Sequence, residues 1–457
     1  MSRGARLAGL ALFFIACAVY GSFVPLRWRP IAWMDGLHRF ARMPVDPALP
    51  VFNGDFFTNV LVFLPIGFFS AGALSSRLRP VEGQVSGRPE GLRNERPPLT
   101  SRNVRGAAVT VVVGSATLST LIELGQVYVR GRTPSWSDVV AQTLGGSAGG
   151  VLWVLVGVAA IEWLGNTMRA PSREDRLLRL LFLYATGWMV YAALPTVFPR
   201  LAHPQLHLWD TTLYRSRLAL AGPLLIAALA AAPLGGLAAL LTARGRFRWA
   251  AGPLAAAGIA LLVLADRVRQ VSFVPTDGHL AAGMVGYSCG WLLAGLGYAR
   301  LDKLQPGQRR WATVVALTGW LALVVLRYWA PFDFGVSAQA FDQRIAVLYT
   351  WAPFHRYYWL PPLVALGEVM TLLLLALGTG VLLSLIGASR RHLPSARETV
   401  LVTALIFVLV EWGQLYLPLR RADPTDVLVA VTGALLGTVV ARALAGSPPP
   451  VNGATTS

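Results

Sequence analysis

The sequence predicts an all-α, polytopic integral membrane protein with about twelve transmembrane helices, arranged as three four-helix repeats of which the middle one is degenerate. Three observations predict this fold. The 457 residues are 55% hydrophobic and only 14% charged, whereas soluble globular proteins contain roughly 25% charged residues. Apolar runs of about 20 residues, the length that spans a bilayer as a helix, recur along the chain. A pattern of polar residues also recurs at fixed spacing.

The apolar runs predict the individual spans, because each is bounded by polar or basic residues. In order, they cover 7–24, 56–75, 107–127, 139–163, 177–197, 218–242, 250–265, 278–298, 311–330, 361–387, 398–415 and 427–445. The seventh run, 250–265, is the shortest. The tail after residue 446 is predicted to be disordered.

The basic residues predict the orientation of these spans. The net charge of +18 could suggest nucleic-acid binding, but the arginines form short clusters between apolar runs, as in cytoplasmic loops. With the N-terminus inside, the inside segments hold 24 of the 40 lysines and arginines. We therefore expect a multi-pass protein of the bacterial inner membrane with both termini in the cytoplasm, and no nucleic-acid partner.

Two stretches of the chain align without a gap. Glu123-Leu-Gly-Gln126 and Glu411-Trp-Gly-Gln414 are each followed by an arginine, an aspartate and two glycines at identical offsets. A weaker version has Gln270 midway between them and Arg267 at the position of the glutamate. We therefore divide the chain into a first copy (1–165), a middle copy (166–305), a last copy (306–446) and a tail (447–457).

Four polar residues in each outer copy are predicted to meet at one membrane boundary. A glutamate and a glutamine three residues apart share a helix face, and a short hairpin with an arginine returns the chain to an aspartate at the start of the next helix. The eight candidate pocket residues are Glu123, Gln126, Arg132, Asp138, Glu411, Gln414, Arg420 and Asp426.

These residues allow both structural and functional interpretations. Arg132 and Arg420 are candidate partners for the glutamates, because acids in membrane segments usually find a partner. Asp138 and Asp426 could cap their helices. The glycines that follow, such as Gly145 and Gly149, have the small-xxx-small spacing that lets helices approach closely. The functional alternative is a pocket for a head group or a proton.

The pattern resembles the VanZ-like family. The resemblance rests on Asp55-Phe-Phe-Thr-Asn59 with Pro65 and Gly67, and on the glutamate, glutamine, arginine and aspartate of the first copy. The last copy matches through its four polar residues but has Leu372 in place of Asn59. The founding member is associated with low-level teicoplanin resistance, so the resemblance implies a cell-envelope role.

Three functions therefore remain open. We favour a non-enzymatic envelope protein with an outward-facing polar pocket, in contact with membrane lipids and with lipid-linked or peptidoglycan precursors as expected ligands. A transporter or lipid flippase is the second possibility, since repeats and many spans are typical of that class. The third is a membrane enzyme that uses Glu123 or Glu411 as a general base. No cofactor and no metal site is predicted.

Overall fold

A computed structural model describes ten segments of the chain, and the statements below concern these segments. They cover 2–44, 54–77, 101–168, 172–197, 217–243, 276–294, 304–349, 352–360, 362–388 and 395–445. The predicted span 250–265, the residues Arg267 and Gln270 of the middle copy, and the tail 447–457 lie outside them. The chain divides into two compact units, Met1–Gly165 and Asn166–Ser457.

The described part of the first unit contains six α-helices. They are α1 (Arg3–Phe23), α2 (Trp33–Ala41), α3 (Gly54–Arg77), α4 (Ser101–Gln126), α5 (Trp136–Leu152) and α6 (Val158–Met168). A π-helical turn, Trp153–Gly157, links α5 to α6. Helix α3 packs against α1, α4 and α5, so it forms the centre of this unit.

The second unit holds the remaining described helices. They are α7 (Arg173–Val197), α8 (Arg217–Ala243), α9 (Thr276–Leu292), α10 (Pro306–Trp329), α11 (Ala338–Tyr349), α12 (His355–Trp359), α13 (Pro362–Ala388), α14 (Ala396–Gln414) and α15 (Pro424–Ala445). Its largest core cluster is built by Val324, Leu375, Phe407, Val410 and Ala430 with their neighbours.

Eight described helices are long and apolar enough to cross a membrane, which supports an integral membrane protein but not the predicted number of twelve. Three further predicted spans coincide with α7, α9 and α14, which are not among the eight. Helix α9 has 17 residues, somewhat fewer than the about 20 needed to span the bilayer. Helix α7 begins with a charged turn, and α14 contains Glu411 near its end.

Close packing at glycines is the feature that the sequence predicted best. A Cβ atom at Gly145 or Gly149 would overlap backbone atoms of Val60 or Leu64 in α3. In the last copy, Gly433 and Gly437 face α13 in the same way, and in the middle copy Gly286 and Gly290 face α8. The predicted small-xxx-small packing is therefore confirmed in the outer copies, and the middle copy packs in the same way.

Two short helices, which no apolar run in the sequence indicated, lie beside the ends of the hairpins. Helix α2 stacks Trp33 on Tyr128, with ring centroids 6.3 Å apart. Helix α11 stacks Phe341 on Tyr416 at 4.8 Å. Since the two tyrosines occupy equivalent positions after the repeated glutamine, each outer copy has an additional helix beside its hairpin.

Candidate functional site

The repeated glutamate closes the hairpin between two helices. Helix α4 ends three residues after Glu123, and α5 begins at Trp136. The backbone N–H of Ser135 donates to Oε2 of Glu123 at 3.0 Å. Because Ser135 is the residue before α5, the buried acid fixes the start of the returning helix.

The last copy closes its hairpin with the same contact. The backbone N–H of Asp423, twelve residues after Glu411, donates to Oε2 of Glu411 at 2.7 Å. Both glutamates are buried, with 1% and 6% of the residue exposed. In both outer copies, the glutamate therefore accepts from the backbone N–H of the residue twelve positions later, as the gapless spacing suggested.

The helix caps come from residues other than Asp138 and Asp426, the two candidates that the sequence suggested. Ser135 caps α5, because its Oγ accepts from the backbone N–H of Asp138 at 3.2 Å. In the last copy, Oδ1 of Asp423 accepts from the backbone N–H of Thr425 at 2.8 Å. Asp138 and Asp426 lie in the first turn instead, where an acid still suits the helix dipole.

The arginines donate hydrogen bonds to backbone carbonyls, a set of partners that the suggested pairing with the glutamates did not include. Arg132 donates from Nε to the carbonyl of Val24 at 2.8 Å, and also to the carbonyl of Gly21. Arg420 donates from Nε and Nη2 to the carbonyl of Ala330, at 3.2 and 2.7 Å. These carbonyls belong to the ends of α1 and α10, so each arginine ties the hairpin to the first helix of its copy.

The glutamines differ between the copies. Nε2 of Gln414 donates to Oε1 of Glu411 at 2.7 Å, so both carboxylate oxygens of that acid are occupied. Nε2 of Gln126 instead donates to the carbonyl of Ser22 at 3.0 Å. As a result, Oε1 of Glu123 is buried without a hydrogen-bond partner.

The aspartates also have different partners. Asn59 of α3 donates from Nδ2 to Oδ1 of Asp138 at 2.7 Å. Gln142, one turn further along α5, donates to Oδ1 of Asn59 at 3.4 Å. Asn59 belongs to the stretch that carries the family resemblance, whereas no pattern in the sequence indicated Gln142.

In the last copy, Leu372 stands at the position of Asn59, and the hydroxyl of Tyr357 donates to Oδ1 of Asp426 at 2.5 Å. Burial, followed by the neighbouring Asp426, raises the pKa of Tyr357, so it remains a neutral donor. Arg356 beside it pairs with Glu368 at 3.0 Å. No spacing in the sequence indicated these two residues, because the short helix α12 brings them to the hairpin.

Asp423 is a buried acid of the last copy whose hydrogen bonding is incomplete. Only 1% of the residue is exposed, and its Oδ2 has no hydrogen-bond partner. Burial raises the pKa of the Asp423 carboxyl, and the hydrogen bonds from Thr425 and the charge of Arg356 oppose that shift.

A model of the VanZ/LLP1 family matches residues 11–157 and 313–445. These two matches contain both hairpins described above and leave the middle copy uncovered. Searches of curated proteins and of solved structures found no significant match.

Proposed function

Because the chain belongs to the VanZ/LLP1 family, we propose that it is a non-enzymatic protein of the bacterial plasma membrane that binds a polar envelope ligand at the head of the α4–α5 hairpin. The ligand is the head group of a lipid or of a lipid-linked cell-wall precursor. The pocket faces outward if both termini are cytoplasmic, as the distribution of arginines favours.

The incomplete hydrogen bonding of Glu123 supports a ligand site. An acid inside a membrane protein is costly unless it is paired. Its Oε2 has the backbone N–H of Ser135, its Oε1 has no partner, and Arg132 binds the end of α1. A buried acceptor of this kind in a native protein calls for an explanation, and a polar ligand provides one.

The position of the acids favours binding over transport. Glu123 and Glu411 each lie three residues before the end of their helix, whereas transporters place their ligand-binding groups near the middle of the membrane. This placement, together with a family whose founding member is associated with teicoplanin resistance, supports an envelope role in which ligand binding lowers glycopeptide susceptibility.

Native mass spectrometry of the purified full-length protein tests this proposal. We expect the wild type to retain a lipid or lipid-linked precursor in mild detergent, and Glu123→Gln to lose most of it while remaining folded. Arg130→Gln is a matched control, because Arg130 lies on the same hairpin with its side chain exposed. A Glu123→Gln variant that retains the bound molecules at the wild-type level would refute the pocket.

A further inference from the structure

The polar site of the first copy extends beyond the hairpin, along the interface of α4 and α5. A Cβ at Gly146 would overlap the Ser115 hydroxyl, and one at Gly150 would lie 3.3 Å from Val111. These two contacts fix the antiparallel register. One turn nearer the hairpin, the same register places Ser119 opposite Gln142, and the next turn places Glu123 at the level of Asp138.

Three oxygen atoms on these two helices are buried without a hydrogen-bond partner. They are Oγ of Ser119, Oε1 of Glu123 and Oε1 of Gln142, on residues that are 0%, 1% and 2% exposed. Ser119 and Glu123 are four residues apart and therefore share a face of α4. All three atoms can accept hydrogen bonds, and one of them belongs to an acid.

The last copy fills the same place with apolar side chains. The positions of Ser119, Gln142 and Asn59 hold Phe407, Ala430 and Leu372, which are buried together in one core cluster. The alignment of Asn59 with Leu372 is supported by packing, since Gly145 faces the carbonyl of Val60 and Gly433 that of Leu373. Both carboxylate oxygens of Glu411 have a donor, and the buried oxygens without a partner in this copy lie outside this place, on Thr399, Thr403 and Asp423.

We infer that the two family copies are unequal: the first binds a protonated primary amine between Ser119, Glu123 and Gln142, and the last is a filled, structural copy. An ammonium group has a positive charge and three N–H donors, which matches one carboxylate and three unpartnered acceptors. This inference rests on the proposed function and specifies its ligand. The amine could belong to a lipid head group or to a free small molecule.

Thermal unfolding of the full-length protein in nanodiscs tests the ligand chemistry. Phosphatidylethanolamine has N–H donors, whereas phosphatidylcholine has none. We expect phosphatidylethanolamine to raise the Tm of the wild type by about 2 °C or more over phosphatidylcholine. Methylammonium chloride added to phosphatidylcholine discs separates the sources: stabilisation by it indicates that the free amine suffices, and stabilisation by the lipid alone indicates that the head group is needed.

Variants test the inequality of the copies. Ser119→Phe combined with Asn59→Leu and Gln142→Ala converts the first copy to the pattern of the last, and should abolish the lipid difference. Gln142→Ala alone removes one acceptor without adding bulk, and should reduce the difference if the triple variant does not fold. Glu411→Gln should lower the Tm in both lipids equally.

Several results would overturn the inference. If the Tm difference between the two lipids persists in the Gln142→Ala variant and in the triple variant, it is a general effect of the bilayer and not of this site. If Glu123→Gln and Glu411→Gln abolish the Tm difference between the two lipids equally, the two copies are not unequal in ligand binding. The pocket itself would not be refuted by that result. If neither amine stabilises the wild type, the ligand is not an amine. Native mass spectrometry still decides separately whether the pocket binds another molecule.

Discussion

Oε2 of Glu123 lies 3.0 Å from the backbone nitrogen of Ser135, and this contact joins the end of one membrane helix to the start of the next. Its equivalent recurs in the last copy, twelve residues apart again, between Glu411 and Asp423. The shared contact explains why both copies keep a glutamate, and the different surroundings explain why only one of these acids has an oxygen without a partner.

The first prediction concerns topology. A reporter fused after Arg88 and another fused after Ser457 should both report a cytoplasmic location, because the inside segments then hold most of the basic residues. A periplasmic signal from either fusion would contradict the orientation, and with it the outward-facing pocket.

The second prediction concerns the packing of α5 on α3. Gly149→Ala should destabilise the protein by about 1–3 kcal/mol, because the added methyl group overlaps the backbone of α3 at Leu64 and Phe68. Gly114→Ala is the matched control within a helix, since a Cβ there meets nothing within 4 Å. It should be neutral or stabilising by up to about 1 kcal/mol. Thermal unfolding in detergent measures the stability of both variants. Equal stability changes in the two variants would contradict the close packing of α5 on α3.

The third prediction concerns Arg132. Arg132→Met should lower stability by about 1.5–3 kcal/mol, the range for hydrogen bonds that involve a charged group, because the carbonyls of Gly21 and Val24 lose their donor. Arg130→Met, on an exposed side chain, should change stability little. Thermal unfolding measures both variants. An Arg132→Met variant with unchanged stability would show that the hairpin does not depend on the hydrogen bonds of Arg132.

The fourth prediction concerns pH. Burial raises the folded-state pKa of Asp423 above its ordinary value near 3.8, so the stability this group contributes is fully present below that ordinary value and is lost as pH rises through the folded-state pKa. Arg356 faces the carboxyl from α12, Glu368 from α13, Glu411 from α14 and Asp426 from α15.

Asp423→Asn preserves a capping oxygen and removes this titration. The variant should therefore gain stability relative to the wild type as the pH rises from about 4 to about 8. Unfolding midpoints at several pH values measure the difference. A constant difference across that range would show that Asp423 does not titrate with folding.

Spacing made the repeats, the glycine packing and the position of the glutamates predictable, because all three depend on helix geometry and local order in the chain. The partners of the arginines were not predictable in this way. Arg132 binds the carbonyl of a residue 108 positions away, and any backbone carbonyl is an equally good acceptor in the sequence. Tyr357 takes over from Asn59 as the donor to the aspartate, which only the folded position of α12 reveals.

The central claim is that the charge of Glu123 serves function and that of Glu411 serves structure. Glycopeptide susceptibility, measured together with the abundance of the protein in the membrane, tests it most directly in a strain that depends on this chain. We expect Glu123→Gln to lose the protective effect at normal abundance, and Glu411→Gln to retain protection in proportion to a lowered abundance. Wild-type protection by Glu123→Gln, or a loss that follows abundance equally in both variants, would contradict the account.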